Sequence, residues 1–193
     1  MPESSLWTLR ETLIIAVLGA VFGVLYLGWV QVWLILQAAF GPITMDMVMG
    51  FWFINSIIAA AIIRKPGVAL VSNMLAAAVQ IMLGSPAGLL LLVTGFVQGL
   101  GAELVFAATR YRRWTLPVMM AAGIGAATTS FIWTWIRFDY GSLEPALLML
   151  MYVLRCTSGA LLGGLLGYLI MRALYRTGVL AGLRIDRDMR APA

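Results

Sequence analysis

A chain of 193 residues that is 62% hydrophobic and only 11% charged is not an ordinary soluble domain, because soluble chains hold about 45–50% apolar and about 25% charged residues. Its net charge of +5 comes from 13 Lys/Arg against 8 Asp/Glu, and the basic residues are scattered along the edges of apolar blocks, which argues for membrane topology and against a nucleic-acid partner. There is no histidine and one cysteine, Cys156, which removes the commonest metal ligand, the commonest neutral-pH acid/base and any intrachain disulfide.

The leader "MPESSLWTLRE" has one Arg against two acids, and no small-residue cleavage site follows the first apolar block. That block is therefore expected to be a span and not a cleaved signal peptide. Six blocks approach or reach the roughly 20 residues that cross a bilayer, at 11–28, 46–63, 67–83, 88–109, 115–136 and 146–171. The third is short, and the last is long enough to tilt. Between the first two, residues 29–45 are too apolar for a solvated loop, and Trp29, Trp33, Leu36 and Phe40 recur at helical spacing. An interfacial helix or a lid over the outer mouth is expected there. The other breaks, "RKPG" (64–67), "GSPAG" (84–88), "RYRRW" (110–114) and "RFDYGSLEP" (137–145), place Pro66, Pro86 and Pro145 where a helix tolerates them. The arginine-rich tail, 173–193, reads as a solvated or membrane-surface segment.

With six spans, Arg10, Arg64, Lys65, Arg110, Arg112, Arg113, Arg172, Arg176, Arg184, Arg187 and Arg190 flank one side. Only Arg137 lies on the other, with Arg155 inside a helix. The expected fold is an all-α, polytopic six-helix bundle, one membrane domain over 1–193, with both termini cytoplasmic. Small residues repeat at i, i+4 in Ala16/Ala20, Gly19/Gly23, Gly95/Gly99, Gly123/Ala127 and Gly159/Gly163/Gly167. Such stripes let helix backbones approach closely, within the bundle or against a partner.

Polar side chains at membrane depth usually face a bundle interior or a cavity. Counted from the outer ends at about 1.5 Å per residue, Asn55, Gln98 and Arg155 lie about 13–15 Å deep, and Gln80 about 5 Å. Trp52 is one turn above Asn55. Trp133 is near the outer end of the fifth span, and Tyr26, Trp29 and Trp33 are near that of the first. Aromatics and amides at one level suggest a ligand pocket made of Tyr26, Trp29, Trp33, Trp52, Asn55, Gln80, Gln98 and Trp133. The competing reading makes the tryptophans an interface belt and the amides interhelical glue. Glu103 continues the Gly95–Gly99 stripe, deeper than the amides, and is expected to face a neighbouring helix. Two roles are open to it: a buried pair with Arg155, or a counter-charge to a cationic ligand.

No histidine-based catalytic set and no G-x-x-x-x-G-K-[ST] motif exists, and Lys65 is the only lysine. The chain is expected not to be an enzyme and to need no cofactor; any ATP hydrolysis would belong to another subunit. A channel should show a continuous polar path, whereas the inner half offers only Asn73 and Glu103. A ligand-free scaffold would not need amides and aromatics at one depth.

"LGAVFGVLYLGW" (18–29), "GFWFINSIIAAAIIRKPGVALVSNMLAA" (50–77) and "QGLGAELVFAATRYRRW" (98–114) together resemble the YkoE family. These are substrate-capture (S) components of energy-coupling factor (ECF) transporters, associated with thiamine or its hydroxymethylpyrimidine moiety. The resemblance implies six helices in a prokaryotic plasma membrane, a transmembrane T subunit and a pair of cytoplasmic ATPases as partners, and vitamin capture near the outer face. It implies that "AVLGA", with Ala16 and Ala20, is a docking patch for the T subunit, and it brings Glu103, within "QGLGAE", into the candidate binding set. A thiazolium cation suits tryptophan faces and an aminopyrimidine suits amides.

Overall fold

The computed structural model describes residues 7–190, and all regular structure among them is helical. The first six residues of the leader and the last three of the tail lie outside the described residues. Helix α1 (Leu9–Phe40) starts with a capping box, in which the Thr8 hydroxyl accepts the Glu11 N–H and the Glu11 carboxylate accepts the Thr8 N–H. It stops at Gly41, whose φ of +82° a side chain would disfavour. Next come α2 (Thr44–Ile63), α3 (Val68–Met82), α4 (Leu90–Ala108), α5 (Leu116–Phe138), α6 (Pro145–Arg176) and the short α7 (Arg184–Arg190). Helix α2 tightens into a 3₁₀ turn over Met49–Phe53, and α6 widens into a π-helical stretch over Gly159–Leu165.

Helices α1, α2, α4, α5 and α6 are long and apolar enough to cross a membrane. Helix α3 is apolar but only 15 residues long, about 22 Å at 1.5 Å per residue. With this pattern the protein is a polytopic, multi-pass membrane protein. Helix α2 is its axis: 83% of its most apolar window is buried, against 28–39% for the other four. Every residue from Ile54 to Ile63 is buried. The outer helices turn one stripe inward and leave aliphatic side chains such as Leu13, Val17, Ile35, Ile136 and Met149 exposed, the surface expected where lipid is the solvent.

Glycines set the closest helix contacts. A Cβ on Gly123 of α5 would collide with the carbonyl of Gly159 on α6, and the reverse holds too. Gly95 and Gly99 of α4 lie against Asn73, Ala77, Ala69 and Leu70 of α3, and Gly19 and Gly23 of α1 lie against Leu75 and Val79. Ala16 and Ala20, one position round α1 from Ile15 and Gly19, are exposed.

Two expectations are revised. Residues 29–40 form no separate interfacial element but continue α1, which at 32 residues extends about 48 Å and so exceeds a hydrocarbon core of about 30 Å. The helical spacing of its aromatics was correct; no breaker interrupts the helix before Gly41. The tail is not simply solvated. Leu180, Leu183 and Ile185 are buried, Arg10 donates to the carbonyls of Val179 and Ala181, and Arg64 pairs with Asp188 at 2.6 Å. Trp7 reaches the Pro66 carbonyl and Lys65 pairs with Glu11 at 2.8 Å. Both ends of the described chain and the α2–α3 turn thus share one basic end of the bundle. Burial lowers the proton affinity of the Arg64 guanidinium there, and Asp188 offsets it.

Candidate functional site

At the end opposite the basic one, the bundle opens a cavity of about 170 Å³. Helix α1 contributes Tyr26 and Trp33, and α2 contributes Met45, Met49 and Trp52. Helix α3 gives Asn73 and Gln80, the α3–α4 turn gives Ser85, α4 gives Thr94 and Gln98, and α5 gives Arg137. Glycine placement explains how so many helices converge: without side chains at Gly95 and Gly23, α3 sits close to both α4 and α1. Gln98 and Asn73 face each other, the Asn73 amide donating to Gln98 Oε1 at 3.4 Å and to the Gly95 carbonyl at 3.2 Å. Gln80 donates within its own helix to Ala76.

The cavity also shows hydrogen-bonding capacity left over. Trp33 Nε1 and Asn73 Oδ1 are buried and have no hydrogen-bond partner among the described residues. A buried donor or acceptor without a partner is costly, and cavities that receive polar ligands are a common reason for one. Tyr26 is nearly fully buried, and its hydroxyl accepts the backbone N–H of Asn55 at 3.1 Å.

The candidate residues divide in two. Tyr26, Trp33, Trp52, Gln80 and Gln98 line the cavity. Asn55 stands behind Tyr26, its amide donating to the Ser72 carbonyl across to α3. Trp29 stacks on Phe51 at 4.3 Å and donates to the Val48 carbonyl, fixing the start of α2. Trp133 donates to the Thr94 hydroxyl, which lines the cavity. These three touch residues near the cavity and not the cavity itself. Asn73, expected in the inner half, lines the cavity instead, because α3 is so short that its middle lies within reach of the outer end.

Glu103 and Arg155 do not pair. The Glu103 carboxylate accepts the backbone N–H groups of Gly67 (2.6 Å), Ala69 (2.9 Å) and Leu70 (3.3 Å) and the Tyr111 hydroxyl (2.7 Å). It therefore caps α3 from the adjacent helix, where unpartnered N–H groups and the helix dipole favour a negative charge. Burial, and then the bond to and charge of Glu103, holds the Tyr111 hydroxyl protonated above its ordinary range. Arg155 instead donates to Asp46 Oδ1 at 2.5 Å and to the Thr134 hydroxyl at 2.7 Å. Its guanidinium lies over the Phe131 ring. The hydroxyl of Tyr140, in the α5–α6 turn, is pushed up by burial, with the Arg155 cation opposing. Asp46 begins a helix that sequence alone placed at the span's edge, so the depth of its side chain was not apparent; an arginine with no other buried carboxylate near its level was the available signal.

Fold and cavity together define a multi-pass membrane protein with an aromatic-walled, small-molecule-sized cavity at one end, the architecture of a solute-binding membrane subunit. Residues 10–129 match the family model "ABC-type cobalt transport system, permease component". The chain is 45% identical over 184 residues to the "Putative HMP/thiamine permease protein YkoE" of Bacillus subtilis (strain 168), covering 95% of this chain and 92% of that protein. It is also similar to a solved structure described as a crystal structure of an S-component of an ECF transporter, with a TM-score of 0.92 and 45% identity over 96% of this chain and 94% of that one. The chain belongs to the YkoE family of ECF S components.

Proposed function

We propose that the chain captures thiamine or its hydroxymethylpyrimidine precursor at the outer face, for import driven by a T subunit and a cytoplasmic ATPase pair. The observation that carries this reading is the cavity itself. Trp33, Trp52 and Tyr26 wall it, Asn73, Gln80 and Gln98 offer amides, and it lies opposite the basic end. A flat aminopyrimidine stacks on such walls and exchanges hydrogen bonds with such amides. Among the described residues, the lining carries no carboxylate, imidazole or thiol, so it suits an organic heterocycle better than the metal ion named in the family model. Energy comes from elsewhere, since the chain has no phosphate-binding loop.

The exposed Ala16/Ala20 stripe supports a docking face for the T subunit. Small residues let a second helix come close, and the glycines that α1 uses inside the bundle, Gly19 and Gly23, lie on a different face. Glu103, placed under α3, is read as the support of that helix and not as a ligand contact. Purified protein in detergent or nanodiscs, with no partner subunit or ATP, is expected to bind thiamine or hydroxymethylpyrimidine, with quenching of tryptophan fluorescence. Titration calorimetry and quenching that are both silent for both compounds would remove the assignment.

A further inference from the structure

One basic residue breaks the charge asymmetry of this chain, and the structure puts it at the cavity. Apart from the buried Arg155, Arg137 in the last turn of α5 is the only Lys/Arg among the described residues on the side opposite the basic end, and it lines the cavity. It is exposed, and its guanidinium lies over the Phe138 ring, 5.0 Å from the centroid. Among the described residues it has no ion-pair partner, although Asp139 and Glu144 are close in sequence. The rest of the lining is neutral. A cation at the rim of a cavity with no acidic group repels a positive charge arriving there and draws a negative one. A guanidinium offers phosphate a planar fork of donors.

From this, and resting on the reading of the cavity as a site for a heterocyclic alcohol, we infer that the substrate class includes phosphate monoesters. The heterocycle lies between Trp33 and Trp52 against the amides, its hydroxyl-bearing arm points outward, and Arg137 takes the phosphate that esterifies that arm. Arg137 is then the residue that sets the preference between the alcohol and its ester. The arm is carried by the thiazolium, so that ring lies nearer Arg137, on the tryptophan faces, and the aminopyrimidine lies deeper against the amides. The ester's negative charge offsets the repulsion that the bare thiazolium meets from Arg137.

The test titrates wild type, Arg137→Gln and Arg137→Lys with thiamine and thiamine monophosphate by tryptophan quenching, at low and at raised salt. Wild type is expected to bind the monophosphate about tenfold more tightly than thiamine, the size of one charge-assisted contact at a partly wet site. The ratio should fall toward one in Arg137→Gln and at raised salt, and survive in part in Arg137→Lys, which keeps the charge and loses the fork. Wild type preferring thiamine, or a preference for the ester that Arg137→Gln leaves intact, overturns the inference while leaving the capture function standing. Binding of neither compound overturns this inference, and the capture function falls with it only if hydroxymethylpyrimidine is silent as well.

Discussion

Arg155 and Asp46 are joined through Nε and Oδ1 at 2.5 Å with both side chains essentially sealed from solvent. The bond links the first turn of α2 to the middle of α6, and Thr134 ties the same guanidinium to α5. Met45 and Met49, on either side of Asp46 in sequence, line the cavity. The pair thus holds one wall of the cavity in place from behind. Asp46 Oδ2 and Arg155 Nη2 have no partner among the described residues, so the pair is not fully compensated and is sensitive to loss of either member.

Removing one partner leaves a buried charge alone, at a cost of about 3–5 kcal/mol, whereas replacing both by apolar groups is often neutral. Asp46→Leu and Arg155→Met should each lower the melting temperature sharply. Asp46→Leu with Arg155→Met should recover most of that loss. Melting curves on the three variants check this, and additive losses in the double variant would deny the coupling.

Glu103 predicts a different pattern. Glu103→Gln keeps one acceptor oxygen where the carboxylate serves three N–H groups and a hydroxyl, so a loss of about 1.5–3 kcal/mol is expected. Combined with Arg155→Met, the effect should be additive, because the two share no partner. The Tyr111 hydroxyl, raised above its ordinary range, supplies a pH readout. The folded chain keeps that proton where the unfolded chain has lost it. The contribution is therefore full below about pH 10 and is lost as pH climbs from there through the folded value. Tyr111→Phe should flatten the alkaline fall in melting temperature relative to wild type; identical slopes would mean that Tyr111 does not report this contact.

These two sites also mark what sequence can reveal. The Gly95–Gly99–Glu103 repeat pointed correctly to a neighbouring helix, since i, i+4 spacing fixes a face. The identity of that helix, and the backbone amides that would bind the carboxylate, depend on the order in which helices pack, which periodicity does not encode. Hydropathy located every long helix, and the amide and aromatic levels located Tyr26, Trp33, Trp52, Gln80 and Gln98 around one cavity. It missed the continuation of α1, because apolar aromatics near a membrane edge fit a belt as well as a span. The packed tail was missed for the opposite reason: its arginines masked Leu180, Leu183 and Ile185, which carry the burial.

On α1, two small-residue faces should behave differently. Gly19→Val and Gly23→Val place side chains where Leu75 and Val79 already sit, and overpacking of this kind costs about 1–3 kcal/mol. Ala16→Trp and Ala20→Trp point away from the bundle and should leave stability and ligand affinity near wild type while abolishing uptake by the assembled transporter. Parallel measurement of melting temperature, ligand affinity and cellular uptake separates the faces. If the Ala16 and Ala20 variants lose affinity along with uptake, the outward stripe is not a docking face.

Trp33 gives the last prediction. Its Nε1 is buried at the cavity without an acceptor among the described residues. A buried N–H left without an acceptor costs about 1–3 kcal/mol. Trp33→Phe keeps an aromatic wall and removes the donor, so the ligand-free variant should melt within a few degrees of wild type or slightly higher. If a bound heterocycle accepts from this N–H, the same variant should bind it about tenfold more weakly, the price of one hydrogen bond to a ring nitrogen or oxygen. Trp52→Phe serves as the comparison, because its indole lines the same cavity without appearing among the buried donors that lack a partner. Calorimetry on the two variants with hydroxymethylpyrimidine should show the larger loss at Trp33. Equal losses would mean that both tryptophans act through their faces alone, and a destabilised ligand-free Trp33→Phe would mean that the indole is needed for packing and not for recognition.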